Sequence, residues 1–438
     1  MKLPPWAIEA IRNGVVDVAK KASDPNTIQR VRQQAAELLR DLPEQASRSL
    51  DAMVKTASET AKAAVDQGRE SVSKWSGTDS HVFSPCLNAT STLLSCRGPL
   101  GNHQVGLGVD EDVVQAGLEI LRGNCDLTSA RDHFRNALSN SVGNSETRVL
   151  VAHSFDAAIA ALPSVASNRP MVMHRSHAIR LPSGVPIPEL LGETTIEYHG
   201  GAEAYSRQDF PSQHPMCVLL ADDGRHPIEP REWAGAQTIT IGVIPVATIH
   251  QPIDGIPTAT ELLSVGMDLV VVAGNAVNGC PPCGILLGKP HLIEQIESSH
   301  RWRALSASET ELAMVFAAVR ATTNPFQRLV ETNIENLRSR AERMATRLTG
   351  CGSIAQCQVT DEDAFVIADH RWSFPSRQLR MKHDSLSAGD WQAALNKGSP
   401  SVFAATDDNG SVVVDLRWIP ASADGLLSSQ IENAAGGS

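Results

Sequence analysis

Two cysteines, three histidines and a glycine-rich turn are the residues of this chain whose types and spacing could do chemistry. Cys280-Pro-Pro-Cys283 lies inside Asp268-Leu-Val-Val-Val-Ala-Gly-Asn275-Ala276-Val-Asn-Gly279-Cys-Pro-Pro-Cys283-Gly284. A CxxC pair can exchange a disulfide or supply half of a zinc site. No second CxxC or CxxH accompanies it, so it reads as two reduced thiols in a turn. His174 and His177 stand at a spacing that a metal could use, but no acidic or cysteine partner is near in sequence. With His153 they read as polar histidines satisfied by their surroundings. Asp222-Asp223-Gly224 carries a turn signature rather than a paired-carboxylate one.

The elements that must position these residues alternate. Arg148-Val-Leu-Val-Ala, Met171-Val-Met-His174, Cys217-Val-Leu-Leu-Ala221, Thr238-Ile-Thr-Ile-Gly-Val-Ile and Leu269-Val-Val-Val-Ala are short apolar runs separated by helical patterns. Such runs predict a mainly parallel sheet of seven strands covered by helices on both faces, over about 82–310. The stretch from Asp268 to Gly288 predicts a buried strand, a glycine-rich turn and a return strand. Glu309 to about Leu348 predicts helix, and 351–430 a small α+β unit whose clearest strand is Val412–Arg417. Residues 1–75 predict helices, with Ile28, Val31, Ala35, Leu38 and Leu42 forming one apolar stripe. The expected division is a helical N-terminal extension at 1–78, a large α/β domain at 79–310 and a small domain at 311–438.

At 438 residues, 42% hydrophobic and 20% charged, the chain can bury a sizeable core. A net charge of −11 does not favour general nucleic-acid binding, and Arg30-Val-Arg32 and His300-Arg-Trp-Arg303 read as solvated faces. No secretory h-region and no run approaching the ~18 apolar residues of a membrane span is present, so a soluble cytoplasmic protein is expected.

The ordered blocks resemble selenocysteine synthase, the L-seryl-tRNA(Sec) selenium transferase family, over roughly 82–420. Asn88-Ala-Thr-Ser-Thr-Leu-Leu94 and Arg97-Gly-Pro-Leu100 are similar to the family's opening blocks, and Val151-Ala-His153-Ser-Phe-Asp-Ala-Ala158 stands at its turn before a helix. His174-Arg-Ser-His177, Ile187-Pro-Glu-Leu-Leu191, Pro257-Thr-Ala-Thr-Glu261, Arg303-Ala-Leu-Ser306 and Asp415-Leu-Arg417 complete the series. The turn after Gly274 is set against Ser-Gly-Asp-Lys-Leu-Leu-Gly-Gly-Pro-Gln-Ala-Gly, so that Gly274, Gly279, Pro281 or Pro282, and Gly284 match while Asn275 and Ala276 fall at Asp and Lys.

The resemblance implies a fold-type-I, aspartate-aminotransferase-like, pyridoxal-phosphate-dependent transferase fold: a large α/β domain followed by a small α+β domain. It implies a cofactor subsite at His153, Ser154, Phe155 and Asp156, with His174 over the ring, and anion contacts from Arg97 and Arg303. Those two arginines equally suit carboxylate partners at a subunit interface. A pyridoxal-phosphate enzyme needs a lysine for its imine and an acid beside the ring nitrogen. Ala276 supplies no amine, and no acid stands near Val243-Ile-Pro-Val-Ala-Thr248. Lys289, in Gly288-Lys-Pro290, reads as an exposed turn. The expectation is therefore a non-catalytic relative with no catalytic residue, binding pyridoxal phosphate non-covalently or not at all; the alternative is an active selenium transferase or a related lyase. The family implies a homo-oligomer, a dimer or larger, and a tRNA partner that the charge does not support.

Overall fold

The computed structural model describes residues 86–94, 110–123, 127–142, 146–167, 169–181, 183–192, 195–198, 215–225, 227–228, 238–322, 324–368 and 370–436, all within one compact unit, Cys86–Ser438. The expected N-terminal helices and Arg97 lie outside the described residues.

Seven strands build the larger sheet. After β1 (Cys86–Ala89), described below, they are β2 (Arg148–Ala152), β3 (Met171–His174), β4 (Thr195–Tyr198), β5 (Met216–Ala221), β6 (Thr238–Ile244), β7 (Leu269–Gly274) and β8 (Cys283–Gly288). Their order is β2-β8-β7-β6-β5-β3-β4, and β8 alone runs against the rest. Strands β5, β7 and β8 are buried along their whole length, which explains why they read as unbroken apolar runs. Alternate residues serve two cores. Leu269, Val271 and Ala273 join one, with the helices Phe155–Ala160 and Pro290–Ser298. Val270 and Val272 join the other, with the helix Glu309–Arg320. Each such Val or Leu contributes about 1.5–3 kcal/mol by leaving water.

The second sheet contains β9 (Ile354–Thr360), β12 (Gln378–His383), β13 (Ser401–Thr406) and β14 (Val412–Asp415), and a separate hairpin pairs β10 (Asp363–Phe365) with β11 (Ser373–Pro375). The helices Ile334–Leu348, Ala388–Asn396 and Asp424–Gly436 pack on this sheet around Leu337, Met344, Leu379, Trp391, Val414 and Leu427.

Two elements link the two sheets. β1 joins the small sheet, parallel to β13, in the order β1-β13-β14-β12-β9. Leu93 and Leu94 then donate to the carbonyls of Phe365 and Val366 at 2.9 and 2.7 Å. In the other direction, Leu312, Val315, Ala318 and Val319 of the helix Glu309–Arg320 pack on the large sheet. The physical reason is that an apolar stripe specifies burial and not which of two cores receives it. No helix among the described residues is long and apolar enough to cross a membrane.

Candidate functional site at the carboxyl edge of the large sheet

Ligands of open α/β sheets bind outside the carboxyl ends of the parallel strands. Here those ends present His153 and Ser154 after β2, His174 on β3, Asp222 after β5, Val246 beyond β6, and Asn275 and Ala276 after β7.

The turn after β7 is held by amides. Asn275 accepts the Val277 amide at 2.9 Å and donates to Pro245 O at 3.2 Å. Asn278 donates to Ala247 O and Ala273 O at 2.9 and 3.1 Å and accepts from the Ile249 amide at 3.1 Å. Asn324 donates to Val277 O at 2.9 Å. Gly279 has φ +61, a left-handed conformation, and a side chain there would also meet Asn324 Cβ at 2.9 Å. The fold thus spends three buried asparagines on shaping this turn, and none of them offers an amine.

Ala276 is 6% exposed and lies in an apolar cluster with Leu93, Leu94, Val246, Phe326, Trp372 and Trp418. Leu93, Leu94, Trp372 and Trp418 come from the smaller unit and its connections, so this cluster joins the two sheets. Cys280 and Cys283 are buried beside the turn. Burial pushes the Cys280 thiol up to about 12 and that of Cys283 well above its ordinary value. Both are protonated core residues at neutral pH. Among the described residues, no group of three or more His, Cys, Asp or Glu is placed to hold a metal.

At the β2 end, Ser154 caps the helix Phe155–Ala160 by accepting the Ala157 amide at 3.1 Å. Phe155 belongs to the core, and Asp156 puts a negative charge in the first turn. His153 N donates to Leu305 O at 3.0 Å, which brings the short helix Trp302–Leu305 and its exposed Arg303 alongside. Gly284 lets β8 pass close: a Cβ there would stand 2.5 Å from both Ser154 O and Ala158 Cβ.

The three histidines separate. Strands β8, β7, β6 and β5 lie between β2, which His153 follows, and β3, which carries His174. His174 accepts the Ser176 amide at 3.2 Å. Nδ1 of the buried His177 donates to Ala221 O at 2.6 Å. Burial pushes the His177 imidazole down to about 4, so it is neutral at pH 7.

Asp222 does more than the turn its sequence suggests. It accepts the Gly224 amide at 2.8 Å and also receives both guanidinium nitrogens of Arg371. Nothing in the sequence points to Arg371, which lies in the small unit between β10 and β11. Lys289 pairs with Asp268, ahead of β7, and therefore sits at the sheet edge opposite Ala276.

Among the described residues at this edge, none is a lysine that could hold pyridoxal phosphate covalently. The end of β7 offers a methyl group in an apolar cluster. Beyond β6 stands the fully buried Val246, and the Asp222 carboxylate after β5 is already paired.

A family model described as L-seryl-tRNA selenium transferase matches residues 248–420. The L-seryl-tRNA(Sec) selenium transferase of Moorella thermoacetica is 23% identical over 336 residues, covering 69% of this chain and 71% of that one. The enzyme of the same name from Rhizobium meliloti (strain 1021) is 23% identical over 380 residues, covering 78% and 81%. Among solved structures, a D-glucosaminate-6-phosphate ammonia-lyase superposes with a TM-score of 0.58 at 15% identity, over 81% of this chain and 96% of that one. Its likeness concerns the fold alone. With its strand order, its single reversed strand and these relatives, the chain has the fold-type-I, aspartate-aminotransferase-like fold of pyridoxal-phosphate-dependent transferases and resembles selenocysteine synthase.

Proposed function

We propose that this protein is a non-catalytic relative of selenocysteine synthase, in which the fold serves binding or assembly. One observation carries the reading: Asn275 and Ala276 occupy the end of β7, where the resemblance sets Asp and Lys, and Ala276 is buried among apolar side chains. An imine requires an amine, and an electron sink requires a protonated ring nitrogen beside an acid. His153, Ser154, Asp156, His174 and Arg303 then stand as inherited positions, with no group to act upon.

Full-length protein incubated with excess pyridoxal phosphate is expected to show no imine absorbance band. Borohydride is expected to trap no pyridoxyl-lysine by mass spectrometry, and seryl-tRNA(Sec) with selenophosphate is expected to stay unconverted. Stoichiometric labelling of one lysine, or selenocysteinyl-tRNA product, would establish the active transferase instead.

The assembly partner we propose is a second copy of the chain. Val114, Leu118 and Leu121 are 40%, 38% and 71% exposed and form an i, i+4, i+7 stripe on the helix Glu111–Leu121. The neighbouring face of that helix, about 100° round its axis, buries Val113, Gly117 and Ile120, so the exposed stripe is a separate apolar face. The family resemblance supports self-association as its use. Sedimentation at micromolar concentration should show a dimer or larger that Leu118→Glu with Leu121→Glu dissociates; a monomer before substitution would refute it.

A further inference from the structure

The side chains His370, Arg371 and Trp372 reach from the segment between β10 and β11 to the carboxyl edge of the large sheet. Arg371 Nη1 and Nη2 donate to the two carboxylate oxygens of Asp222 at 2.6 and 2.5 Å, a bidentate pair in which the Asp222 side chain is 3% exposed. The Arg371 amide donates to Gly224 O at 2.8 Å, so backbone and side chain anchor together. The His370 ring rests on Gly224: a Cβ at that glycine would fall 1.8 Å from His370 Cδ2, and its φ is +76. Trp372 is 1% exposed in the cluster that contains Ala276 and Val246. Its indole stacks against the His370 ring, with centroids 5.6 Å apart and planes 5° apart, and the Arg371 guanidinium carbon lies 4.7 Å from its centroid.

We infer that His370, Arg371 and Trp372 are a built-in occupant of the carboxyl edge of the large sheet: they take there the place of a ligand and tie the two sheets together without one. An aromatic ring packed beside the β7 turn, a cation paired to the β5-end carboxylate and a backbone bond to the following glycine are three independent attachments on one edge. A ligand entering there has to break an ion pair whose carboxylate is buried and displace an indole. This goes beyond loss of chemistry, because it makes closure permanent rather than ligand-driven.

Hydrogen exchange of the full chain, with no ligand added, tests it. Peptides covering 370–373 should exchange as slowly as those of β12. Asp222→Asn should speed them by at least about ten-fold while β12 and β14 stay unchanged, since local opening reports local attachments. Loop-like exchange in the unaltered protein would overturn the inference, as would an Asp222→Asn variant that leaves 370–373 unchanged. Should Asp222→Asn not fold, the unaltered protein decides by itself. As a second arm, millimolar indole should raise the Tm of Trp372→Ala by roughly a few degrees, as binding to the native state does. It should leave the unaltered protein's Tm where it was; an equal response in both would count against the plug. Trapping of a pyridoxyl-lysine would sink the proposed function without touching these exchange rates, so the two failures are distinguishable.

Discussion

Ala276→Lys is expected to lose about 4–5 kcal/mol of stability at pH 7 and to gain no cofactor bond. The new ammonium would enter the apolar cluster of Leu93, Leu94, Val246, Phe326 and Trp372. A lysine in such surroundings has its pKa depressed to about 5–6, against about 10.4 in the unfolded chain. At pH 7 the unfolded chain therefore holds a proton that the folded chain does not, and the difference favours unfolding. As pH rises toward about 10.4 the unfolded lysine also loses its proton, and the penalty shrinks by about 1.4 kcal/mol per pH unit. Urea unfolding of both proteins at pH 7, 8 and 9 reads this slope, because groups common to both cancel. A pH-independent loss, or an imine band with pyridoxal phosphate at pH 7, would mean that the site still receives an amine.

Arg417→Met should lower stability by about 3–5 kcal/mol, the range for stranding a buried charge and its acceptors. Arg417 is 3% exposed. It donates to Leu329 O and Thr332 O at 3.0 Å each, to Val330 O at 3.4 Å, and to Pro375 O. These bonds cap the helix Pro325–Val330, which Asn324 connects to the turn at Ala276. Asp415, fully buried, accepts from Ser376, Gln378 and the Arg417 amide at 2.7, 2.9 and 2.8 Å. Burial pushes the Asp415 carboxyl up to about 6 although the Arg417 charge pulls it down. Without that charge it rises further. An acid whose folded pKa is raised weighs against folding once pH exceeds its unfolded value, and the penalty grows until pH passes the folded one. The variant should therefore lose more stability at pH 8 than at pH 5. A loss under about 1 kcal/mol, or one equal at both pH values, would place Arg417 among ordinary surface arginines.

The large sheet was legible because burial on both faces writes itself as consecutive apolar residues. Leu269–Gly274 and Cys283–Gly288 show this, with the glycine-rich turn between them. The absence of an amine at 276 is equally a property of residue types alone, since no packing turns a methyl group into a nucleophile. Other features depended on which distant segments meet. The run at Cys86–Ala89 has nothing local to say that it pairs with Ser401–Thr406 rather than with the large sheet. Asp222-Asp223-Gly224 spells a turn, and Asp222 makes one; its second role needs Arg371, a residue 149 positions away. The three histidines are close in number, but the strand order sets His153 apart from His174 and His177. The sequence by itself therefore determined the architecture of the large sheet and the residue types of its turn, because both follow from periodicity and residue type. Only the tertiary structure decided what meets the carboxyl edge of that sheet, because pairing Asp222 with Arg371 and burying Trp372 requires segments far apart in the chain to come together.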